Sequence, residues 1–279
     1  MTRSLPVLPA VRRNRRHPTW VAPAVLGLVV LAALLPDLLS THDPLAENVS
    51  RRLSSPSAAH LFGTDELGRD LFSRVVHGTR ATLLTALLAL LLAFGASVVI
   101  GLVAGYLRGA VDRVLMAGVD VLLAVPALLL SLLIVSGLGA GPVNLAVAVG
   151  LASVPAFARV TRAEVLRVSS QPFVEAAAGF GVARHRILLR HVLPHARGPI
   201  TALAALELAT MVLSVSTLSF LGYGTQPPTP EWGNLIAGGQ DYFRTAWWLT
   251  ALPGVVLACV VLALHRVGRN LGASEVSLV

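Results

Sequence analysis

Carboxylate, guanidinium and imidazole side chains are the groups in this sequence that could do chemistry, and one stretch holds several of them close together. Residues 60–70, HLFGTDELGRD, hold three carboxylates, which is the acid density of a cation site. Arg69 and Arg74 are close enough to pair with these acids, so we expect structural ion pairs there rather than a metal centre. The histidines show no paired ligand spacing, so we expect no metal ligation by His60, His77, His185, His191 or His195.

The chain lacks the residues that common catalytic sites need. Lysine does not occur in it, and a P-loop requires a lysine to reach the β- and γ-phosphates of ATP. No zinc-protease helix motif and no G-x-S-x-G elbow occurs either. Cys259 is the only cysteine, which excludes an intrachain disulfide and a clustered-cysteine metal site. We therefore expect a protein that is not an enzyme.

The composition is that of a membrane protein. Hydrophobic residues make up 55% of the 279 residues and charged residues only 13%, with a mean hydropathy of +0.74. A net charge of +8 and a pI near 11.2 would normally suggest a nucleic-acid partner. Here the arginines flank long apolar runs, which is typical of a topology signal, so we expect membrane lipid around the chain and no nucleic acid.

Six stretches are long and apolar enough to cross a bilayer, which takes roughly 20 residues. The sequence predicts an all-α polytopic membrane protein with a basic tail at 1–17, a first span at 18–39, an extracytoplasmic segment at 40–80, a core of five further spans at 81–267 and a tail at 268–279. The core spans are predicted at about 81–107, 115–136, 142–160, 199–221 and 245–264. With the N-terminus inside, sixteen arginines lie on the cytoplasmic side and six outside, which favours an N-in, C-in orientation.

The longest cytoplasmic loop, 161–197, is predicted to contain two short helices. Ser170 or Gln171 would cap the first, which begins at Pro172 and carries Glu175 near its positive end. Helical spacing places four apolar residues on one face, Phe173, Ala176, Ala177 and Phe180. Gly179 or Gly181 would turn the chain into a second helix, from about Val182 to Val192, that Pro194 stops.

The second helix is poorly amphipathic, because its arginines spread around most of its circumference. A helix lying on anionic lipid should separate basic from apolar faces, whereas a helix held by protein need not. Both readings stay open from the residues alone, with protein docking favoured.

The loop resembles a known motif. Glu175, Ala176 and Ala177, then Gly181, then Leu193 and Pro194 match the EAA loop of ABC importer permeases, in which E-A-A-x-x-x-G is followed after nine residues by x-x-L-P. In that family the loop is the coupling helix that sits in a cleft of the cytoplasmic ATPase, so the resemblance implies that these six residues form the ATPase-coupling site. Residues 60–83 and 218–254 look like the corresponding stretches of the C-type permeases of dipeptide, oligopeptide and nickel importers.

The resemblance implies the fold and the partners of an ABC type I importer permease. The partners would be a second, homologous permease subunit, two cytoplasmic ABC ATPase subunits or domains, and an extracytoplasmic substrate-binding protein. ATP and Mg²⁺ would bind to the ATPase subunits, and no cofactor to this chain. The cargo would be di- or oligopeptides, or a related small solute such as nickel.

Two acids lie inside predicted spans, Asp120 and Glu207. Such acids should face protein or water, so each is a candidate for a pathway residue or for a polar packing contact. A proton-coupled secondary transporter that uses both as a relay is the main alternative function, and a membrane scaffold that recruits partners through its basic loop is a third. In the outer stretch TQPPTPEWGN, 225–234, the prolines predict a stiff loop, with Trp232 suited to the membrane interface.

Overall fold

The computed structural model describes residues 20–276, with side chains up to residue 270, as an all-α chain. The helices are α1 Val21–Leu34, α2 Pro36–Leu39, α3 Leu71–Leu107, α4 Gly109–Leu123, α5 Ala127–Leu138, α6 Pro142–Ser169, α7 Pro172–Gly179, α8 Arg184–Ile187, α9 Leu193–Phe220, α10 Trp232–Gly238 and α11 Trp248–Val276. Within the described residues, the one β pairing is an isolated bridge between Thr64 and Asp70. The predicted all-α class is confirmed.

Four helical stretches are long and apolar enough to cross a membrane, and α4 with α5 would make a fifth. The first predicted span, 18–39, is represented by α1, whose 14 residues span about 21 Å against a hydrocarbon core of about 30 Å. Residues 18 and 19 and the predicted tail at 1–17 lie outside the described residues. Six spans and the N-in, C-in orientation therefore stay predictions.

The segment predicted as a single span at 115–136 is not one continuous helix. The chain forms α4 and α5 instead, which meet at a bend of 90° around residues 124–126. Pro126 occupies the N-cap position of α5 with φ −53° and ψ 130°. Its ring would clash with the carbonyl of Leu122 in a continuous helix, and it has no N–H to donate, so the helix ends and restarts in a new direction.

The other helices are longer than their predicted spans. Helix α3 begins ten residues before 81, inside the segment predicted as 40–80, because the Asp70 carboxylate caps it by accepting the N–H of Ser73 at 2.8 Å. Helix α6 continues past 160 to Ser169, and α11 runs past 264 and through most of the tail predicted at 268–279. Hydropathy locates only the part of a helix that suits lipid, whereas caps and ion pairs set where it ends. Residues 277–279 lie outside the described range.

Helices α3 and α6 pack along a seam of small residues at the centre of the fold. A Cβ on Gly101 would lie 2.5 Å from Cβ of Thr161, and one on Gly150 would lie 2.9 Å from the carbonyl oxygen of Ala89. The Ser97 hydroxyl also donates across the seam to the carbonyl of Val154 at 3.0 Å. The two backbones can approach this closely only because small residues face each other, as is common between membrane helices.

The outer loop folds back into the core rather than forming an interfacial connector. Trp232 is fully buried, so its predicted place at the membrane interface is wrong. Its indole N–H donates to the carbonyl of Val75 at 3.0 Å, and its backbone N–H to the hydroxyl of Thr82 at 3.2 Å. Glu231 caps α10 in a reciprocal pair with Asn234. Helix α10 is thereby fixed against α3.

Two of the three acids of residues 60–70, Asp65 and Glu66, are paired with arginines as expected. Asp65 binds Arg69 at 2.7 Å and lies 3.5 Å from Arg74, and Glu66 binds Arg69 at 3.0 Å. The expectation of a structural ion-pair network at these residues is confirmed.

The α3–α6 seam generates a stability prediction. Gly101→Ala should destabilise the protein by about 1–3 kcal/mol, because the added methyl group must displace Thr161. Gly95→Ala is the matched control on the same helix, since nothing lies within 4 Å of its Cβ position. Thermal unfolding in detergent should show a lower midpoint for the first variant and an equal or higher one for the second. Equal midpoints for Gly101→Ala and the wild type would contradict the close packing.

Candidate functional site

The site predicted at residues 172–194 begins with helix α7. Pro172 occupies the first turn, where its missing N–H costs no hydrogen bond, and Gln171 is the N-cap residue. Neither Gln171 nor Ser170 caps the helix with its side chain, contrary to expectation. The Ser170 hydroxyl donates instead to the carbonyl of Arg167 at 3.0 Å, which closes the end of α6.

Helix α7 is anchored by a different face from the one predicted. Val174 is buried and Ala177 half-buried, and both pack on a second hydrophobic cluster that also contains Val165, Val168, Ile187, Val192, Ala196 and Ile200. Phe173, Ala176 and Phe180 point outward, and Phe180 is 88% exposed. The helical spacing of Val174 and Ala177 was visible in the sequence. However, α7 is so apolar that more than one of its faces could have been the buried one. The predicted face is thus split, and most of it is open to another molecule.

The turn after α7 is a Schellman motif. Gly181 has φ +76°, the left-handed conformation that glycine adopts most easily, while Gly179 is the last helical residue. The N–H of Gly181 donates to the carbonyl of Ala178 at 3.0 Å, and the N–H of Val182 to that of Ala177 at 3.2 Å. Of the two glycines that the sequence left open, Gly181 makes the turn.

The predicted second helix, Val182 to Val192, is present from Arg184, but its predicted stop at Pro194 is wrong. Helix α8 passes through a π-helical turn, Leu188–Val192, directly into α9. The N–H of Leu193 donates to the carbonyl of Leu188, five residues back. This wider turn accommodates Pro194, which sits in the first turn of α9 where it need not donate. Residues 184–220 therefore form one helical rod of 37 residues.

The exposed side of the loop carries basic and apolar side chains, and its charged groups have no partner among the described residues. Glu175, Arg184, Arg186 and Arg190 are all exposed. Within the described part of the chain, none of these four side chains makes an ion pair or a hydrogen bond. Phe180 and the 58%-exposed Leu189 lie on the same segment. This surface, here called the loop face, carries charged and apolar groups that this chain itself leaves unsatisfied.

Three arginines of α6 behave differently and are all paired. Arg162 binds Asp112 of α4 through two N–H donors at 2.5 and 2.6 Å, and Arg159 binds Asp120 of α4 at 2.6 Å. Arg167 binds Glu164 at 2.5 Å. Bidentate contacts of this kind fix orientation as well as distance, so α4 is held against the part of α6 that leads into the loop.

The two acids of the predicted spans lie in different surroundings. Asp120 makes the exposed ion pair with Arg159, which is the packing contact favoured from the sequence. Glu207 is half-buried on α9, and His265 of α11 is an ionisable neighbour. No described hydrogen bond or ion pair links Asp120 to Glu207, so the structure shows no relay between them.

The histidines are closer to paired spacing than the sequence analysis allowed. His191 and His195 are four residues apart on helical backbone, and Nδ1 of His195 lies 2.6 Å from the carbonyl of His191. The ring of His195 also stacks on Phe173, with centroids 4.7 Å apart. A second group, His42 with His60 and Asp70, comes together only in the tertiary structure. The stretch 60–70, which holds His60 and Asp70, was noted in the sequence for its acids, but no local spacing links His42 to it.

Comparison with known proteins gives the same assignment at the level of family. Residues 97–272 match the family model described as the binding-protein-dependent transport system inner membrane component. The chain is 37% identical to the di/tripeptide transport system permease DppC of Pseudomonas aeruginosa, over 88% of this chain and 82% of that protein. It is 34% identical to the probable D,D-dipeptide transport system permease DdpC of Escherichia coli (91% and 85%) and 35% identical to the glutathione transport system permease GsiD of Pectobacterium atrosepticum (92% and 86%).

Solved structures share the fold. The inward-facing MetNI methionine ABC transporter matches 72% of this chain and 95% of its own with a TM-score of 0.60 at 17% identity. An amino acid ABC transporter with histidines matches 72% and 94% with a TM-score of 0.57 at 18% identity. Identities this low carry the fold alone.

The family model covers most of the core helices, and the curated relatives are more than 30% identical across most of both chains. This protein accordingly belongs to the family of binding-protein-dependent transport system inner membrane components, as a multi-pass inner-membrane permease of an ABC importer.

Proposed function

We propose that this chain is the translocation subunit of an ATP-driven peptide importer and that the loop face docks the cytoplasmic ATPase. The observation that carries the proposal is a surface of unpartnered charged and apolar side chains fixed to the end of a 37-residue helical rod. Exposed aromatic and arginine side chains on one segment are typical of a protein-binding hot spot.

The cargo is inferred from the relatives. The three named above carry di/tripeptides, D,D-dipeptides and glutathione in their names, and all of these are short peptides. Di- or oligopeptides are therefore our first choice of cargo for this chain. A related small solute such as nickel, implied by the resemblance, is the second.

The coupling is mechanical. ATP and Mg²⁺ bind to the ATPase subunits, whose closure pulls on residues 172–194. Val174 and Val182 seat the loop on the same cluster as Ile200 of α9, so the pull reaches α9 and α6 as a rigid-body motion. Glu175 and Gly181 then act as the polar contact to the ATPase and as the turn that presents it. A second, homologous permease completes the pathway, and an extracytoplasmic binding protein delivers the cargo.

The alternative, a proton-coupled transporter with Asp120 and Glu207 as its relay, has weaker support. Asp120 of α4 is ion-paired with Arg159 of α6 on an exposed surface. Glu207 lies elsewhere, on α9 near α11. A relay needs groups that exchange protons with each other along a connected path.

The Schellman turn gives a first test. Gly181→Val should leave the protein in the membrane but abolish the stimulation of ATPase activity by loaded binding protein, because a residue other than glycine costs about 1–2 kcal/mol in this conformation. Nothing lies within 4 Å of the Cβ position, so the effect comes from the backbone rather than from a clash. Gly179→Ala, in equally open space but with helical backbone, should couple normally. Normal transport by Gly181→Val would refute the proposed role of the turn.

The loop face gives a second test. Phe180→Ala should leave thermal stability within about 0.5 kcal/mol, since the ring is exposed in this chain. It should weaken ATPase binding by about 2 kcal/mol, roughly thirtyfold, if the ring is a hot spot. Phe243→Ala removes a ring that is 57% exposed, from the predicted outer side, and is the control. Co-purification of the ATPase is the measurement, and unchanged recovery with Phe180→Ala would place the docking surface elsewhere.

The energy source gives a third test. The double variant Asp120→Asn, Glu207→Gln should keep ATP-dependent uptake in reconstituted vesicles, because the exposed Asp120 pair contributes only about 0–1 kcal/mol. Uptake by the wild type should also survive dissipation of the proton gradient. Uptake driven by a proton gradient in vesicles that contain this chain alone, and its loss in the double variant, would favour the relay instead.

A further inference from the structure

Three side chains that commonly bind metal ions meet at the N-terminal end of α3. His42 follows α2, His60 lies in the next loop, and Asp70 is the N-cap residue of α3. One ligand atom from each lies within 4.8 Å of the others. We propose that His42, His60 and Asp70 form a binding site for one divalent transition-metal ion of the class that takes imidazole and carboxylate ligands, such as Zn²⁺.

The distances suit such an ion. Nδ1 of His60 is 2.8 Å from Oδ1 of Asp70, and Nδ1 of His42 is 3.8 Å from the same oxygen. Two atoms that each bind a tetrahedral Zn²⁺ at 2.0–2.1 Å lie about 3.3 Å apart, so each of these two distances to Oδ1 differs from that value by about half an ångström. The two rings are 4.7 Å apart between centroids and tilted by 31° to each other.

One carboxylate oxygen of Asp70 accepts hydrogen bonds from neighbouring residues, and the other faces the two imidazole rings. Oδ2 accepts the backbone N–H and the hydroxyl of Ser73, each at 2.8 Å, and the hydroxyl of Thr41 at 3.4 Å. Oδ1 faces the two imidazoles. Asp70 is 2% exposed, and among the described residues it makes no ion pair with an arginine. A bound cation would supply the charge that a buried carboxylate otherwise lacks.

Metal binding would change which ring nitrogen of His60 carries the proton. Arg51 can only donate, and its Nη1 lies 3.2 Å from Nε2 of His60, so Nε2 is the acceptor and Nδ1 carries the proton toward Asp70. A metal ion at Nδ1 requires that proton to move to Nε2, and Arg51 must then turn away. Arg51 is exposed and therefore free to do so. The hydroxyl of Thr41, 3.0 Å from Nδ1 of His42, or a water molecule would complete four ligands.

The ligands come from three separate parts of the segment that precedes α3. A bound ion would therefore tie residues 40–60 to the start of the central helix and stiffen the outer side of the fold. This role is independent of the cargo and of the ATPase.

Zinc binding by the full-length chain tests the site. The protein is purified in detergent through a tag without histidine and treated with chelator. Zn²⁺ alone is then titrated by calorimetry and by thermal unfolding. One Zn²⁺ per chain and a higher unfolding midpoint are expected. Co²⁺ in its place should show the intense visible absorption of a four-coordinate ion.

The variants separate this site from its competitors. His42→Gln removes the most exposed ligand without touching the cap of α3, and it should weaken Zn²⁺ binding at least tenfold while the metal-free protein unfolds at the wild-type temperature. His77→Gln removes an imidazole that contacts Asp37 and the carbonyl of Ser73 but none of the three ligands, and His195→Gln breaks the His191 and His195 pair, so both should bind like the wild type. Absence of binding, wild-type affinity in His42→Gln, or loss of binding in His195→Gln would each overturn the proposal.

Discussion

The close packing of α3 against α6 is the contact on which the rest of the structure depends. Gly101 and Gly150 let the two backbones meet where larger residues would hold them apart. In lipid, association of apolar helices gains little from the hydrophobic effect, so such packing supplies much of the attraction. Because α6 is fixed in this way, its C-terminal turns can carry α7, and its arginines can hold α4 through Asp112 and Asp120.

The second constraint is that one side of the loop at 172–194 packs against its own chain, whereas the other side has no described partner. Val174 and Val182 bury one side of it, and the turn at Gly181 is closed by two backbone hydrogen bonds. The other side presents Phe180 and four charged groups without described partners. A segment that is ordered by its own chain loses little further entropy when it binds, which favours transmission of force over folding on contact. The π-helical turn at Leu188–Val192 joins this segment to α9 without a flexible link.

The predicted outer side is held together by ion pairs and hydrogen bonds. The paired acids of residues 60–70, the cap at Asp70 and the insertion of Trp232 between helices all act on the first turns of α3. The His42, His60 and Asp70 group sits at this junction. A metal ion there would act on a region already held by ion pairs and hydrogen bonds.

Much of this protein follows from its sequence alone. The helical class, the membrane setting and the family follow from hydropathy and the EAA spacing, because these depend on residue type and local order. The pairing of Asp65 and Glu66 with Arg69 was also local and was predicted, whereas the sequence placed the turn at either Gly179 or Gly181 and only the structure assigned it to Gly181.

Only the tertiary structure decided the rest. Three prolines show why: Pro126 breaks a helix by 90°, Pro155 lies inside one, and Pro194 follows a π-helical turn that lets the helix continue. The effect of a proline depends on the hydrogen bonds and the space that neighbouring turns provide. The inner face of α7, the burial of Trp232 and the meeting of His42 with His60 depend likewise on contacts between segments far apart in the chain. Residue order determines which groups this chain carries, and packing determines which of them meet.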